Sequence, residues 1–494
     1  MSPALCLVVA VPTSPSGDTD GRLLEATLAS FVAQGEGSWE VLTVEVPADP
    51  SPLGAAALTH AATTTTAAYV ALVEAGDRLE PGALSAVLEG VGDRRPGLLY
   101  TDEQWPAQGA AGIFTKPDWM PRYLEALPYP GRLTFFRRDV LLDAGAWRHE
   151  HGPAFEWDTL LRVTELTDDV VHVPVLGVSR HRPPELASLL ESGRDAVAAR
   201  FRRLDVPATV EVVRSGDQGF LRVWRDVPDP PLVTLVIPTA GGRRKVRGED
   251  VVLVTNALRA LLERTSYPRW EVVLVVSDGT PAETIRESTA LLGDRLAAVV
   301  PVSGPFNFSR SVNSGAAAAR GDFVLALNDD TEVIEPRWLD RMVAVAQDPD
   351  VGAVGAKLLF EDGRIQHAGI VFANDGRPLH VHIFESDADA GHFGSKVVDL
   401  DYLAVTGACL LVRRSLYETV GGFTEDLPLN FNDVDFCLKL VATGHRVVCT
   451  PYARLHHYES STRHAEVRDF ELEALAWWRP WTLADPHVNV RGIV

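Results

Sequence analysis

The sequence predicts an α/β protein made of two tandem domains, each with a mixed, mostly parallel central sheet. Short β-branched runs closed by turn residues alternate with Ala/Leu-rich stretches of helical length, which is the pattern of parallel strands joined by crossover helices. The chain also repeats itself, in order, at long spacing. Its 494 residues exceed what one hydrophobic core usually holds.

The repeat justifies the elements one by one. LVVAVPT (7–13) returns as LVTLVIPT (232–239), and WEVLTVEV (39–46) as WEVVLVVSD (270–278). AAYVALVEAGDRLEPGAL (67–84) returns as GDFVLALNDDTEVIEPRWL (321–339), and LTFFRRDVLLDAGAW (133–147) as CLLVRRSLYETVGGF (409–423). FEWDTLLRV (155–163) then matches FNDVDFCLKL (431–440), and VVHVPV (170–175) matches RVVCTPY (446–452). The copies meet at RDVPDPPLV (225–233), whose prolines are incompatible with continued helix or strand pairing. The expected domains are therefore 1–226 and 232–464, followed by a C-terminal tail over 465–494. In that tail AEVRDFELEALAWWRPW reads as an amphipathic helix whose Trp477, Trp478 and Trp481 either dock on the protein or touch a membrane surface; its acidity favours docking.

Composition excludes several classes. A formal net charge of −21 argues against nucleic-acid binding, which needs a basic face to displace counterions from phosphates. Cys6, Cys409, Cys437 and Cys449 form no CxxC pair, so neither a zinc site nor a disulfide framework is expected, and a reducing cytoplasm fits best. The opening MSPALCLVVAVPTS lacks a basic start and its apolar run is only about nine residues, so it reads as a strand and not as a signal peptide. No run reaches the ~20 apolar residues that span a bilayer. A soluble or at most peripheral protein is expected.

The chemistry concentrates in the second copy. LNDD (327–330) follows a predicted strand at its carboxyl end, where open α/β sheets place their ligands. Carboxylates there suit Mg²⁺ or Mn²⁺, which take oxygen ligands and share them with substrate phosphates, although an NDD triplet alone is most often a solvated turn. Asp278 in SDGT ends a second strand, where it can accept hydrogen bonds from a base or ribose. Asp433 and Asp435 in NDVD stand where a loop enters a helix; Asp435 either caps that helix or joins the site, and Asp433 is free to point inward. His456 or His457 after the last strand can complete a metal shell, against the commoner structural role of a lone histidine.

Together VIPT, SDGT, PFNFSRSVNSGAAAARGDFVLALNDDTEV, GAVGAKLLFEDGRIQHAGIVF, VTGACLLVRR, GGFTEDLPLNFNDVDFCLKL and LHHYESSTR resemble family 2 glycosyltransferases of the GT-A fold, nearest to bacterial rhamnosyltransferase-like members that build cell-surface polysaccharides. The resemblance is dense over 232–464 and implies an inverting transfer from a nucleotide sugar, UDP- or dTDP-linked, to a glycan or lipid-linked glycan, with Mn²⁺ or Mg²⁺, in the cytoplasm or at the inner face of the membrane. By matching position, Asp433 is the implied catalytic base, while Asp330 and His457 are the implied metal ligands. Pro238, Thr239, Asp278, Arg310, Asn313, Asn328 and Asp329 fall on the donor side. Thr406, Gly407, Ala408, Asn432, Gln366 and His367 fall on the acceptor side. For Arg310 and Asn313 plain surface exposure is the alternative, for Gln366 and His367 a role as loop anchors, and for 406–408 close packing. Two departures stand out: Asn328 replaces the first aspartate of the family's DXD motif, and Asn432 replaces the acidic residue that often precedes the base. They leave a second reading open, a pseudo-glycosyltransferase that binds a partner or a glycan.

The first copy keeps little of this set. Glu74, Gly76 and Asp77 stand in place of NDD; aligned from the strand, Gly76 falls on the Asp330 position, and a one-residue gap would put Asp77 there. Glu156 falls on Asp433, and Arg180 on His457 with His181 one residue off. Asp102 in YTDE and Asp118 in KPDW are the carboxylates left to support a site. A degenerate domain that scaffolds the other or binds acceptor glycan is expected.

Overall fold

The computed structural model describes residues 3–13, 21–47, 52–106, 112–215, 218–458 and 467–487. They form two compact units, which divide between Val223 and Trp224.

In the first unit the strands are β1 (Leu5–Thr13), β2 (Trp39–Pro47), β3 (Tyr69–Glu74), β4 (Arg78–Leu79), β5 (Leu98–Trp105), β6 (Phe135–Arg137) and β7 (Val170–Ser179). They lie in the order β2-β1-β3-β6-β5-β7-β4. In the second unit the strands are β8 (Val233–Thr239), β9 (Trp270–Ser277), β10 (Leu296–Val302), β11 (Phe323–Leu327), β12 (Thr331–Val333), β13 (Val351–Leu359), β14 (Cys409–Arg413) and β15 (Arg446–His457). Their order is β10-β9-β8-β11-β14-β13-β15-β12. Along these main paths the two orders are the same apart from the added edge strand β10, so the sequence repeat is a repeat of topology; short strands branch off them, Gly112–Phe114 on β5, Ile365–His367 on β13 and Leu400–Tyr402 on β15.

Parallel and antiparallel contacts are repeated too. β1 runs parallel to β2 and β3 as β8 does to β9 and β11, and one reversed strand, β6 or β14, then enters each sheet. The rungs refine the match between copies: Leu5 pairs Trp39 and Tyr69, and Val233 pairs Trp270 and Phe323. Val11, and not Thr13, therefore stands level with Thr239; the shared Pro-Thr pair is offset by two residues from the hydrogen-bond register.

Burial explains the strands. Every residue of β8, β11 and β13 is buried, the signature of strands covered on both faces. Helix α1 (Phe308–Ala317) is capped by Asn307, whose side chain accepts the Arg310 N–H at 2.9 Å. It lies so close to the sheet that a Cβ on Gly315 would meet Val236 at 2.3 Å, which only glycine permits. All four cysteines are buried free thiols. Among the described residues, no helix is long and apolar enough to cross a membrane.

Asp102 and Asp118, the carboxylates left to the first copy, are spent on one histidine. His172 lies between them, its Nε2 3.0 Å from Asp102 and its Nδ1 3.0 Å from Asp118. Burial works against the imidazolium, but the two carboxylate hydrogen bonds prevail and hold the ring above its ordinary value of 6.5. This contact is fully stabilising below the unfolded-state value and is lost as pH rises through the higher folded value. His172→Gln should cost about 1–2 kcal/mol near pH 6 and flatten the fall in melting temperature between pH 6 and 8, as read by calorimetry across that range; an unchanged slope would remove His172 as the titrating group.

Candidate functional site

The reversed strand β14 assembles the site. Because it runs antiparallel to β11, its leading residues Thr406–Ala408 arrive beside the residues that follow β11, and the Asn328 N–H donates to the Ala408 carbonyl at 3.0 Å. Strand β15 ends in His457, opposite Thr331. Helix α2 (Asn432–Ala442) begins with Asp433 in its first turn. These segments enclose a cleft of roughly 550 Å³, within the range of small-ligand sites.

Eleven of the residues singled out by sequence line that cleft: Pro238, Thr239, Asn328, Asp329, Asp330, Thr406, Gly407, Ala408, Asn432, Asp433 and His457. Asp433 is held by backbone on both oxygens. Oδ2 accepts the Gly407 N–H and Oδ1 the Val434 N–H, each at 2.9 Å, which leaves each oxygen a lone pair for the cleft. Asp329 fixes the neighbouring strand end by accepting from Thr239 Oγ1 at 2.6 Å. Asn432 is buried at the mouth of α2, and its amide nitrogen has no hydrogen-bond partner among the described residues.

Asp330 and His457 face one point. His457 Nε2 is 3.1 Å from both Asp330 Oδ1 and the Asn328 amide nitrogen. On the other side of the ring, Nδ1 lies 2.7 Å from Gln366 Oε1, so with the proton on Nδ1 it donates there and Nε2 turns a lone pair toward Asp330. Among the described residues, the buried Asp330 Oδ1 has no hydrogen-bond donor. Burial disfavours its charge; His457 in its protonated, metal-free form and the Arg244 guanidinium favour it, and the carboxyl stays below its usual range. A carboxylate oxygen without a donor, aimed with an imidazole lone pair at one spot, fits a divalent cation. Among the described residues no three His, Cys, Asp or Glu side chains gather into a complete cage. Two protein ligands suit a hard cation that takes its remaining oxygens from water and phosphate.

The other site residues read from sequence lie elsewhere. Asp278 accepts from Ser303 Oγ at 2.8 Å and the Gly304 N–H at 3.0 Å, and ties the end of β9 to the loop after β10. Arg310 donates to the carbonyls of Ser303 and Pro305 in that same loop. Asn313 is spent on the Phe423 backbone, Tyr417 and Glu425. Gln366, expected toward the acceptor, is 2% exposed and orients His457 instead. His367 is buried behind the cleft, where it accepts the Thr406 N–H at 3.3 Å and touches His380. Asp435 turns away to take Thr424, Lys439 and the indole N–H of Trp478.

That indole belongs to the C-terminal segment, which docks as its acidity suggested. In α3 (Asp469–Trp477) the buried Glu471 accepts from the Asn430 side chain at 2.9 Å and from its N–H, pinning a loop that lines the cleft. Trp478 is buried while Trp477 is 77% exposed. Residues 459–463 of LHHYESSTR lie outside the described residues. Sequence reasoning missed His380, Phe308 and Phe431 in the lining: Phe308 starts α1 and Phe431 precedes α2 inside strings read for their polar residues, and His380 ends the short strand Pro378–His380. Phe431 carried one local signal only: it sits at the mouth of α2 with φ +58°, a conformation rare for an aromatic residue.

Residues 230–474 match the family model described as Glycosyltransferase like family 2. The second unit carries a glycosyltransferase family 2 domain. O-antigen biosynthesis protein RfbC of Myxococcus xanthus is 34% identical over 438 residues, covering 85% of this chain and 33% of that protein. Uncharacterized protein y4gI of Sinorhizobium fredii is 33% identical over 446 residues, covering 85% of this chain and 48% of that protein. The chain thus spans about a third to a half of the length of these relatives. A solved structure of GalNAc-T7 with UDP, GalNAc and Mn²⁺ aligns over 51% of this chain and 47% of its own, at 15% identity and a TM-score of 0.38.

In the glycosyltransferase domain, Gln366 fixes the ring of His457, the candidate cation ligand, from the side away from the cleft. Gln366→Leu should weaken Mn²⁺ binding about 10- to 100-fold by calorimetry, with the melting temperature of the metal-free protein nearly kept, and Gln366→Glu should restore most of the affinity. Equal affinity in the leucine variant would release Gln366 from this role.

Proposed function

We propose that the second unit is an inverting glycosyltransferase that moves a sugar from a nucleotide-diphosphate donor to an acceptor hydroxyl during cell-surface polysaccharide or glycolipid synthesis. The observation that carries this reading is the meeting, in one cleft, of a backbone-held carboxylate at Asp433 with Asp330, whose buried Oδ1 has no hydrogen-bond partner among the described residues and lies 3.1 Å from His457 Nε2. The family match and the polysaccharide context of the name O-antigen biosynthesis protein support it.

Asp330 and His457 would hold Mn²⁺ or Mg²⁺. When bound, the cation neutralises charge on the departing nucleotide diphosphate. Asp433 receives the acceptor's hydroxyl proton as the acceptor oxygen bonds to the anomeric carbon. The bond from that carbon to the phosphate oxygen breaks at the same time, and its electron pair leaves on the diphosphate. Attack from the opposite face inverts the centre, and one carboxylate suffices because no covalent sugar intermediate forms. Gly407 and Val434 hold the Asp433 plane without a side chain that must reorganise, so alignment is in place before substrate arrives.

A binding module without turnover is the second reading. The observation in its favour is the amide at Asn328, which leaves only one carboxylate at the cation position. Asp433→Asn should lower sugar transfer by at least about 10²-fold while nucleotide diphosphate binding stays within about twofold. Turnover retained in that variant would take the base role from Asp433, and donor turnover absent from the unaltered protein would favour the binding module. Nucleotide diphosphate affinity should also fall at least tenfold in chelator; equal affinity with and without Mn²⁺ would sink the cation site. Heating with UDP, dTDP or GDP in the presence of Mn²⁺ reads out the donor class.

A further inference from the structure

The first unit has a cleft of its own, roughly 400 Å³, at the carboxyl ends of β1, β2 and β3. The strand registers show what stands in it. Tyr69 pairs Arg137 as Phe323 pairs Arg413, so Glu74 takes the Asn328 position and Arg132 takes that of Ala408. Leu79 pairs Val178 as Val333 pairs Leu455, and the Glu80 and Ile334 N–H groups reach the Gly177 and Arg454 carbonyls. Gly76 is therefore level with Asp330 and Arg180 with His457. No carboxylate can be restored at Gly76, because a Cβ there would meet the His181 ring at 2.7 Å.

The place kept open in the second unit by alanine is filled here by a guanidinium. Arg132 is 5% exposed and lies 3.2 Å from each of Glu74, Asp77 and Glu156, the last being the counterpart of Asp433. Arg182 pairs Glu74 at 3.1 Å, and Arg180 lies 3.5 Å from Glu103. Among the described residues, every arginine lining the cleft thus meets a carboxylate, and Glu185 adds one more acid to the wall. A pyrophosphate would find no surplus positive charge. A polyol finds acceptors and donors alternating around it, with Phe155, Leu72 and Pro12 as apolar wall for its C–H faces.

We propose that this cleft binds a neutral saccharide without a metal ion, through the Arg132, Arg182, Glu74 and Glu156 cluster. The ligand class is an uncharged oligosaccharide segment, recognised by hydroxyl pairs that bridge carboxylate and guanidinium. Turnover in the second unit is not required for this, so the Asp433→Asn assay and the test below fail independently.

The test uses the full chain and an array of neutral hexose and deoxyhexose oligosaccharides, followed by calorimetry on the bound members. Binding should persist in excess chelator and drop tenfold or more in Arg182→Ala and in Glu156→Gln. Arg182 is half exposed, so its removal leaves the fold intact, and Mn²⁺-dependent nucleotide diphosphate binding should stay within twofold in both variants. Any of three results overturns the proposal: no neutral oligosaccharide bound by the unaltered protein, binding lost in chelator, or affinity unchanged in both variants.

Discussion

The hydrogen bond from the Asn328 N–H to the Ala408 carbonyl is the joint on which the rest of the site depends. Parallel strands send all their carboxyl ends to one edge but bring no amino end there. A single reversed strand does, and β14 thereby sets Thr406–Ala408 against Asn328–Asp330 and under Asp433. Loops of different sequence separation meet because a five-residue strand fixes their distance. The side chain at the 408 position then decides what fills the space between them, and a methyl group leaves it open.

An open space between buried polar groups has a cost. A carboxylate oxygen left without a donor loses about 1–3 kcal/mol relative to a satisfied one, and the penalty is larger when the group is charged. Asp330 is held in that condition by neighbours that are themselves fixed: His457 by Gln366 on one ring nitrogen, and the Tyr458 N–H by the Asp330 carbonyl. Arg244, on the hairpin that follows β8, lowers the cost by long-range attraction without filling the position, since its own guanidinium donates to the Tyr458 carbonyl. The unit thus tolerates a locally unfavourable arrangement because its core and hydrogen bonds over-determine the geometry.

Much of this was legible in the sequence because strands write themselves plainly. Uninterrupted apolar runs such as VTLVIPT and FVLAL gave away doubly covered strands, and the repeat fixed their order. LNDD and HH were legible as a site because each lies at the end of a strand, and NDVD because it stands where a loop enters a helix. What sequence position could not give was the direction of side chains past the strand end. Gln366 and His367 stand next to each other, yet one orients His457 and the other supports Thr406. Asn313 carries the same chemistry as Asn328 but is taken up by a turn more than a hundred residues away. The match of the two Pro-Thr pairs misled by two residues, since identity of letters does not set a hydrogen-bond register.

The two units solve one electrostatic problem in opposite ways. Each brings acidic residues to the same edge of the same sheet, and those charges need a counter-charge. The second unit has alanine at position 408 and histidine at 457, which leaves the counter-charge to be supplied from solution. The first unit has arginine at both matching positions and carries the counter-charge on its own chain, with Arg132 bonded to the carboxylate at the base position. Burial, with Glu74 close by, still raises the Glu156 carboxyl above its ordinary range against the attraction of Arg132, so what Arg132 takes from this carboxylate is the space in front of it and not its affinity for a proton. Three matched positions carry this difference, Arg132 for Ala408, Gly76 for Asp330 and Arg180 for His457: one carboxylate is gone and two guanidinium groups are added, so the edge of the first unit balances its acids from within the chain.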